Sequence, residues 1–264
     1  MKGYLYYERE DAQRNEKFID ELLVEAKKCR IDLQLIVDDE RPDEDARFVI
    51  FRGRDYRLAQ KFEADGLRVF NRSEVSRIAN NKLGTFELAI MLGIPTIETH
   101  KLYTPKQIEK YPVVVKTADG YGGQEVHLCK EEIDVVKVQE KYADRLLVVQ
   151  PYIETNATDV RIFVLGEEIL GAVKRSGVDS FKSNYTLGGK VEKYKPSKRD
   201  QLMVEKITSA LHSDYIGIDF LVLPNGQLVL NEIEDPVGAR SLYGTHDFSV
   251  AEKLMAYIAD SLTK

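Results

Sequence analysis

The stretch VVVKTADGYGGQEV, residues 113–126, decides how the rest of the chain is read. Three valines lead into Lys116, a loop with three glycines follows, and a second strand begins at Glu125. Glycine lets a backbone approach a polyphosphate closely, so that amide N–H groups can point at its oxygens. A tight hairpin that merely needs positive φ gives the same cluster, and the glycines alone do not separate the two readings. Neither GxxxxGK[ST] nor a GxGxxG opening a helix occurs. A nucleotide held here is therefore held by strand–loop–strand rather than loop–helix.

Outward from this stretch, the hydrophobic patterning divides the chain into three. Residues 3–7, 33–37, 46–51 and 67–70 read as strands, and 15–29 and 56–64 as helices. Phe18, Leu22, Leu23 and Ala26 keep the spacing of an amphipathic helix. Strand–helix alternation implies a parallel sheet, so residues 1–80 are expected to form a small doubly wound α/β lobe. A helix over 82–92, stopped by Gly93 and Pro95, opens a central lobe over 81–150. That lobe holds the glycine loop, a helix over 131–142 and a strand over 146–152. In the last lobe, 151–264, strands over 159–165 and 168–175 precede a loop over 176–190 and a helix over 198–212. A hairpin of 216–222 with 227–233 turns at Asn225-Gly226, and a final helix starts near Asp247, capped by Asp247 or Ser249. The fold class is α/β (α+β).

The last hairpin is acidic. Asp219 lies in GIDFLV, and Glu232 and Glu234 lie in LVLNEIEDP. Residues two apart on a strand share a face, and the turn folds Asp219 back beside the glutamates. Carboxylates in apolar strands need a charge partner, because an unpaired buried one is very costly. An all-oxygen ligand set suits magnesium shared with phosphate. A solvated acidic face, with Ile233 turned to the core, competes with that reading. In VQPYIETNATDVRIFVLG, residues 149–166, Asp159 and Arg161 read equally well as exposed charges. Lys174, Arg175, Lys182 and Lys190 bracket the loop over 176–190, which suits a phosphoryl transition state, although a solvated basic loop is the common case.

Composition removes several classes of function. The 264 residues are 43% hydrophobic and 31% charged, enough for a sizeable core in two or three small lobes or one large α/β domain. The net charge of −6, with acids and bases mixed, speaks against a nucleic-acid partner bound on a broad basic face. Cys29 and Cys129 form no CxxC pattern, and His100, His127, His212 and His246 share no metal-ligand spacing. Acids stand in MKGYLYYERED where a signal peptide needs an apolar run, and no stretch approaches the ~20 apolar residues of a membrane span. A cytoplasmic protein with no membrane partner is expected.

Taken in order, several pieces resemble the ATP-grasp superfamily, and within it the RimK-like carboxylate–amine ligases. They are GLRVFNRSEVSRIANNKLGTFELAIMLGIPT from Gly66, the glycine stretch, VVQPYIE, DVRIFVLG, KR followed by FKSN and LGG, and GIDF followed by NEIE. The resemblance implies an ATP-grasp fold, with ATP gripped between two antiparallel sheets. It implies activation of a small-molecule or peptide carboxylate as an acyl phosphate and its joining to an amine. It sets Lys82 and Lys116 on the phosphates, Gly120, Gly122, Gly123 and Gln124 in a lid, and Gln150, Tyr152 and Ile153 at adenine. Asp159 falls at the ribose, and Lys182 and Asn184 on the nucleotide side of the loop. Asp219, Glu232 and Glu234 would hold magnesium, as two ions that manganese can replace. Arg175, Arg161 and Lys174 would stabilise the acyl phosphate, and Arg240 and Ser241 would hold a substrate carboxylate. Glu232→Gln or Arg175→Ala is expected to abolish ADP release with the fold intact. Glu234 stands where the family usually has asparagine, and DPVGARSLYG replaces its usual Pro-Gly, so the acid and the amine stay open. A homodimer is an open expectation. A small-molecule kinase with the same ATP site, or a nucleotide-binding module without turnover, are the alternatives.

Overall fold

The computed structural model describes residues 1–123, 125–177 and 190–263. Three sheets follow one another along the chain. The first contains β1 (Lys2–Tyr7), β2 (Asp32–Val37), β3 (Phe48–Phe51) and β4 (Arg68–Phe70), all parallel, in the order β2-β1-β3-β4. Tyr4 and Tyr6 pack with Phe51 and Phe62 on one side, and Leu5 and Tyr7 with Phe18 and Leu22 on the other. That is the pleat's period of two in a sheet covered on both faces.

The second sheet is antiparallel: β5 (His100–Lys101), β6 (Val113–Thr117), β7 (Val126–Cys129) and β8 (Leu147–Pro151), ordered β5-β8-β6-β7. The helix Glu132–Lys141 closes its core with Val135 and Val138. The third, also antiparallel, runs β11-β10-β9-β12-β13, from β9 (Thr158–Leu165), β10 (Glu168–Ser176), β11 (Lys190–Lys193), β12 (Tyr215–Val222) and β13 (Leu228–Glu234).

The third sheet's two faces explain where the charges go. Val160, Ile162, Val164, Ile216, Ile218 and Phe220 enter a core shared with the helices Lys198–Leu211 and Lys82–Leu92. The alternate residues along β9 are Asp159, Arg161, Phe163 and Leu165. Phe163 and Leu165, with Val173 and Tyr215, are buried against the last helix, Val250–Ser261, in a core that continues to the first sheet. The same face thus has an apolar end that is packed and a charged end that lines a cleft.

The expected elements form, with ends shifted by up to three residues, most at the last helix. The short helices Arg9–Arg14, Ser73–Ala79 and Arg240–Tyr243 were not expected, since each is too brief to show a period. β11 starts where a loop was expected to end, its pairing to β10 being set by the neighbouring strand rather than by local pattern. Ser249 caps the last helix, accepting from the Glu252 amide at 3.1 Å. Among the described residues, no helix is long and apolar enough to cross a membrane.

Candidate active site

A cleft enclosing about 930 Å³ separates the second and third sheets. Ile97, Val114, Val126, Ile153 and Leu221 give it an apolar part, and Lys82, Lys116, Asp159, Arg175, Asp219 and Glu232 a charged part. A second cavity of about 1080 Å³ adjoins it, lined by the first sheet's loops, Arg161, Glu234 and the segment after β13. Tyr121 and Arg175 line both.

Strand register brings the carboxylates together. Asp219 on β12 stands directly opposite Glu232 on β13 and, on its other side, opposite Arg161 on β9. Like charges directly opposite one another destabilise a sheet, so a cation is required there. The oxygens of Asp219, Glu232 and Glu234 lie within 4.8 Å of one another. A bulge between Asp219 and Phe220 leaves Asn231 as the extra residue on β13. Bulges re-aim side chains, and here the Asn231 amide oxygen accepts from Lys116 Nζ at 3.2 Å. Asn231 carries no motif of its own, and its place just before the glutamates is the one signal that marks it in the sequence.

Arginines hold this trio. Arg161 grips Asp219 with Nε at 2.6 Å and Nη2 at 2.5 Å, and reaches Glu234 with Nη1 at 2.5 Å. Arg175, opposite Asp159 in the register, binds it through Nε at 2.6 Å and Nη2 at 2.9 Å, and Asp219 through Nη2 at 2.9 Å. Burial raises the Asp219 carboxyl, but Arg161 and Arg175 overturn this and hold it below its ordinary value. Burial raises Glu234, against the pull of Arg161.

Two lysines come from elsewhere in the chain. Lys82 begins its helix behind the Asn81 cap, whose side chain accepts from the amides of Leu83 and Gly84. Its backbone amide donates to the Ala118 carbonyl at 2.9 Å, and its Nζ to the Gly120 carbonyl, 4.0 Å from Glu232. A basic residue in a first helical turn is unfavourable unless an anion sits near. Lys116, on β6, is buried, and burial pulls its ammonium down to about 8, with Lys82 adding to and Glu232 opposing the shift.

The remaining expectations fall as follows. Gly122 and Gly123 have φ of +66° and +71°, and a Cβ at Gly120 would collide with Thr117 and Glu125, so the loop requires these glycines. Gln150 lines the cleft, its amide donating to Thr99 at 2.8 Å, and Tyr152 and Ile153 follow at its edge. Arg240 and Ser241 line the second cavity. Lys174 is a correction: strand alternation turns it to the opposite face from Arg175, onto Glu192 at 3.6 Å, and it lines neither cavity. Gln124, Lys182 and Asn184 lie outside the described residues. Arg52 and Arg54 line the second cavity but carried no motif to find them by, whereas Tyr121, which lines both, sits inside the glycine stretch.

A family model described as a RimK-like ATP-grasp domain matches residues 79–258. An uncharacterized protein of Mycoplasma pneumoniae, the MG011 homolog, is 28% identical over 249 residues, covering 91% of this chain and 86% of its own length. The glutamate–LysW ligase ArgX of Sulfurisphaera tokodaii is 26% identical over 215 residues, 76% of each chain. The D-alanine–D-alanine ligase of Bacillus anthracis, solved with ATP, superposes with a TM-score of 0.76 at 16% identity, covering 99% of this chain and 97% of that one.

Proposed function

The chain belongs to the RimK-like ATP-grasp family, and from that membership we infer the chemistry of its cleft. It is an ATP-dependent ligase that forms a carbon–nitrogen bond between a carboxylate and an amine, through an acyl phosphate, with release of ADP and phosphate. The observation that carries the reading is convergence: Lys82, Lys116 and Arg175 meet Asp219 and Glu232 across one cleft.

In our reading the apolar part, with Gln150, Tyr152 and Ile153 at its rim, receives adenine, and Asp159 faces the ribose. Lys116 and Lys82 hold the phosphates. Asp219, Glu232 and Glu234 would hold magnesium, whose hard-cation preference their oxygens fit; bound, the metal offsets phosphate charge. The cations Lys82, Lys116, Arg161 and Arg175 match the anions Asp159, Asp219, Glu232 and Glu234 one for one, and Glu125, which also lines the cleft, is met by Arg145. A triphosphate arriving with two divalent ions preserves that neutrality, which supports two ions over one. Arg175 stands on the wall between the cavities, where charge develops as acid and amine react. Residues 1–80, 81–150 and 151–264 are then the three lobes, each built on one sheet. The cytoplasm, with its ATP, is the compartment we assign.

The test is an ADP-release screen over paired acids and amines with magnesium. ADP release that requires both partners and yields an amide supports the reading. A stable phosphorylated product without an amine, or no turnover with any pair, removes it.

Two expectations follow from the geometry. Tyr121 stacks under the Arg54 guanidinium, 4.0 Å from ring centroid to Cζ, and so ties the glycine loop to the first lobe. Cation–π contacts at such sites are modest, about 0.5–1 kcal/mol, but this one roofs both cavities. Tyr121→Ala is expected to let water reach the acyl phosphate, raising the ratio of ADP released to amide formed above that of the parent. An unchanged ratio ends the lid role. For Lys116 the sign is set by its lowered value: it is charged below about pH 8 and loses its proton above. Bound phosphate favours the charged form, so nucleotide affinity falls as pH rises through 8. Calorimetry at pH 9 in buffers of different ionisation enthalpy is expected to show proton uptake on ATP binding, and Lys116→Met to abolish it.

A further inference from the structure

Arg52 follows directly on β3, and its side chain is only 6% exposed. Its Nε donates to the Tyr7 hydroxyl at 3.2 Å and its Nη2 to the Val237 carbonyl at 2.7 Å. The guanidinium lies 5.6–5.9 Å from the rings of Phe18, Tyr7 and Tyr215. Among the described residues no carboxylate pairs with it; Asp235 acts on it only at a distance and uses Oδ1 to accept from Asn71 at 2.8 Å. A buried charge in aromatic surroundings is costly without a counter-ion. This one faces a cavity rather than a packed core.

Its neighbours in that cavity point the same way. Arg54 donates to the Asn80 side-chain oxygen at 3.2 Å, and Arg240 to the Arg14 carbonyl at 2.8 Å, neither taking a carboxylate. Away from the wall shared with the cleft, Arg14 alone among the described arginines of the cavity has one, Asp11 at 3.3 Å. The first-lobe side of the cavity is therefore positively charged, whereas the side shared with the cleft is balanced by Asp219 and Glu234. Arg175 and Tyr121 border both spaces, but Arg52 borders only the second. An anion held by Arg52 is thus remote from the phosphates and is not the carboxylate being activated.

We propose that Arg52 is a specificity-determining residue that binds a non-reacting carboxylate or phosphate of one substrate. The acid and amine joined here then carry, between them, at least one anionic group besides the one that reacts. The guanidinium fork matches either oxyanion, so the experiment separates the two sources. The inference rests on the ligase reading only for the identity of the ligand as substrate.

The experiment compares charged and neutral partners of like shape: L-glutamate with L-glutamine, L-aspartate with L-asparagine, succinate with succinamate, phosphoserine with serine. In the parent enzyme, kcat/KM for ADP release is expected to favour the anionic member of the active pair by about 30-fold or more, as for a buried charge contact. Arg52→Met is expected to reduce that preference to a few-fold, through KM, and Arg52→Lys to restore part of it. Preference for the carboxylate pairs or for phosphoserine identifies the source. Equal use of charged and neutral members by the parent, or a preference that survives Arg52→Met, overturns the proposal. Should the parent release no ADP, the ligase reading fails by itself, and the subsite is judged from thermal shift with glutarate against its monoamide. Stabilisation by glutarate alone, lost in Arg52→Met, supports it; equal shifts overturn it.

Discussion

Glu232→Gln is expected to lower amine-dependent ADP release by about 10²–10³-fold, the loss seen when one group that stabilises transition-state charge is removed. The fold is expected to hold. Glu232 is not the counter-ion of a buried guanidinium; among the described residues its one ion pair is with Lys82 at 4.0 Å, Lys116 feels its charge from further off, and its side chain is 30% exposed. It stands opposite Asp219, so loss of its charge relieves a like-charge contact. Initial rates at saturating ATP, with Mn²⁺ binding followed by electron paramagnetic resonance, separate the two effects. Weakened manganese binding in a protein that melts like the parent is the expected pair of results. A parent-like rate would remove Glu232 from the metal site.

Arg161→Met carries the largest expected stability effect. Arg161 is the shared partner of Asp219 and Glu234, and its loss leaves the buried Asp219 and the part-buried Glu234 beside Glu232, with Arg175 the one arginine still paired to them among the described residues. Breaking a buried pair in this way costs about 3–5 kcal/mol. The cations that the trio would bind can substitute for the missing guanidinium. Magnesium or manganese alone, without nucleotide, is therefore expected to raise the variant's melting temperature more than the parent's, by mass action on the folded state. A variant as stable as the parent in chelator would mean that the network does not hold the site together. Indifference to metal would mean that the acids are not its ligands. The same logic revises the expectation for Arg175→Ala. Arg175 is 5% exposed and binds Asp159 through two nitrogens, so its removal is expected to cost stability as well as rate. Arg175→Lys, which keeps the charge, is the cleaner kinetic probe.

Local pattern reached far in this chain because its elements are consistent with their neighbours. The strand over 3–7 is written in the sequence, as are the Ser249 cap and the hairpin that folds Asp219 onto Glu232. Lys174 shows the limit. Next to Arg175 in a basic run it looked equivalent, yet a strand sends neighbouring side chains to opposite faces, and which face meets the cleft depends on the sheet's other side.

The sequence by itself determined the longer strands and helices and their order, the ligase family, and the residue types that bring phosphate and metal chemistry together. Those follow from short-range periodicity and from motifs that keep their spacing. Only the tertiary structure decided that Arg161 and Arg175 clasp the acidic trio, that a bulge hands Asn231 to Lys116, and that Arg52 faces a second cavity with no carboxylate paired to it among the described residues. Each joins groups from different strands, loops or lobes. Their energies come from burial and cross-strand register, and neither exists until the sheets have packed.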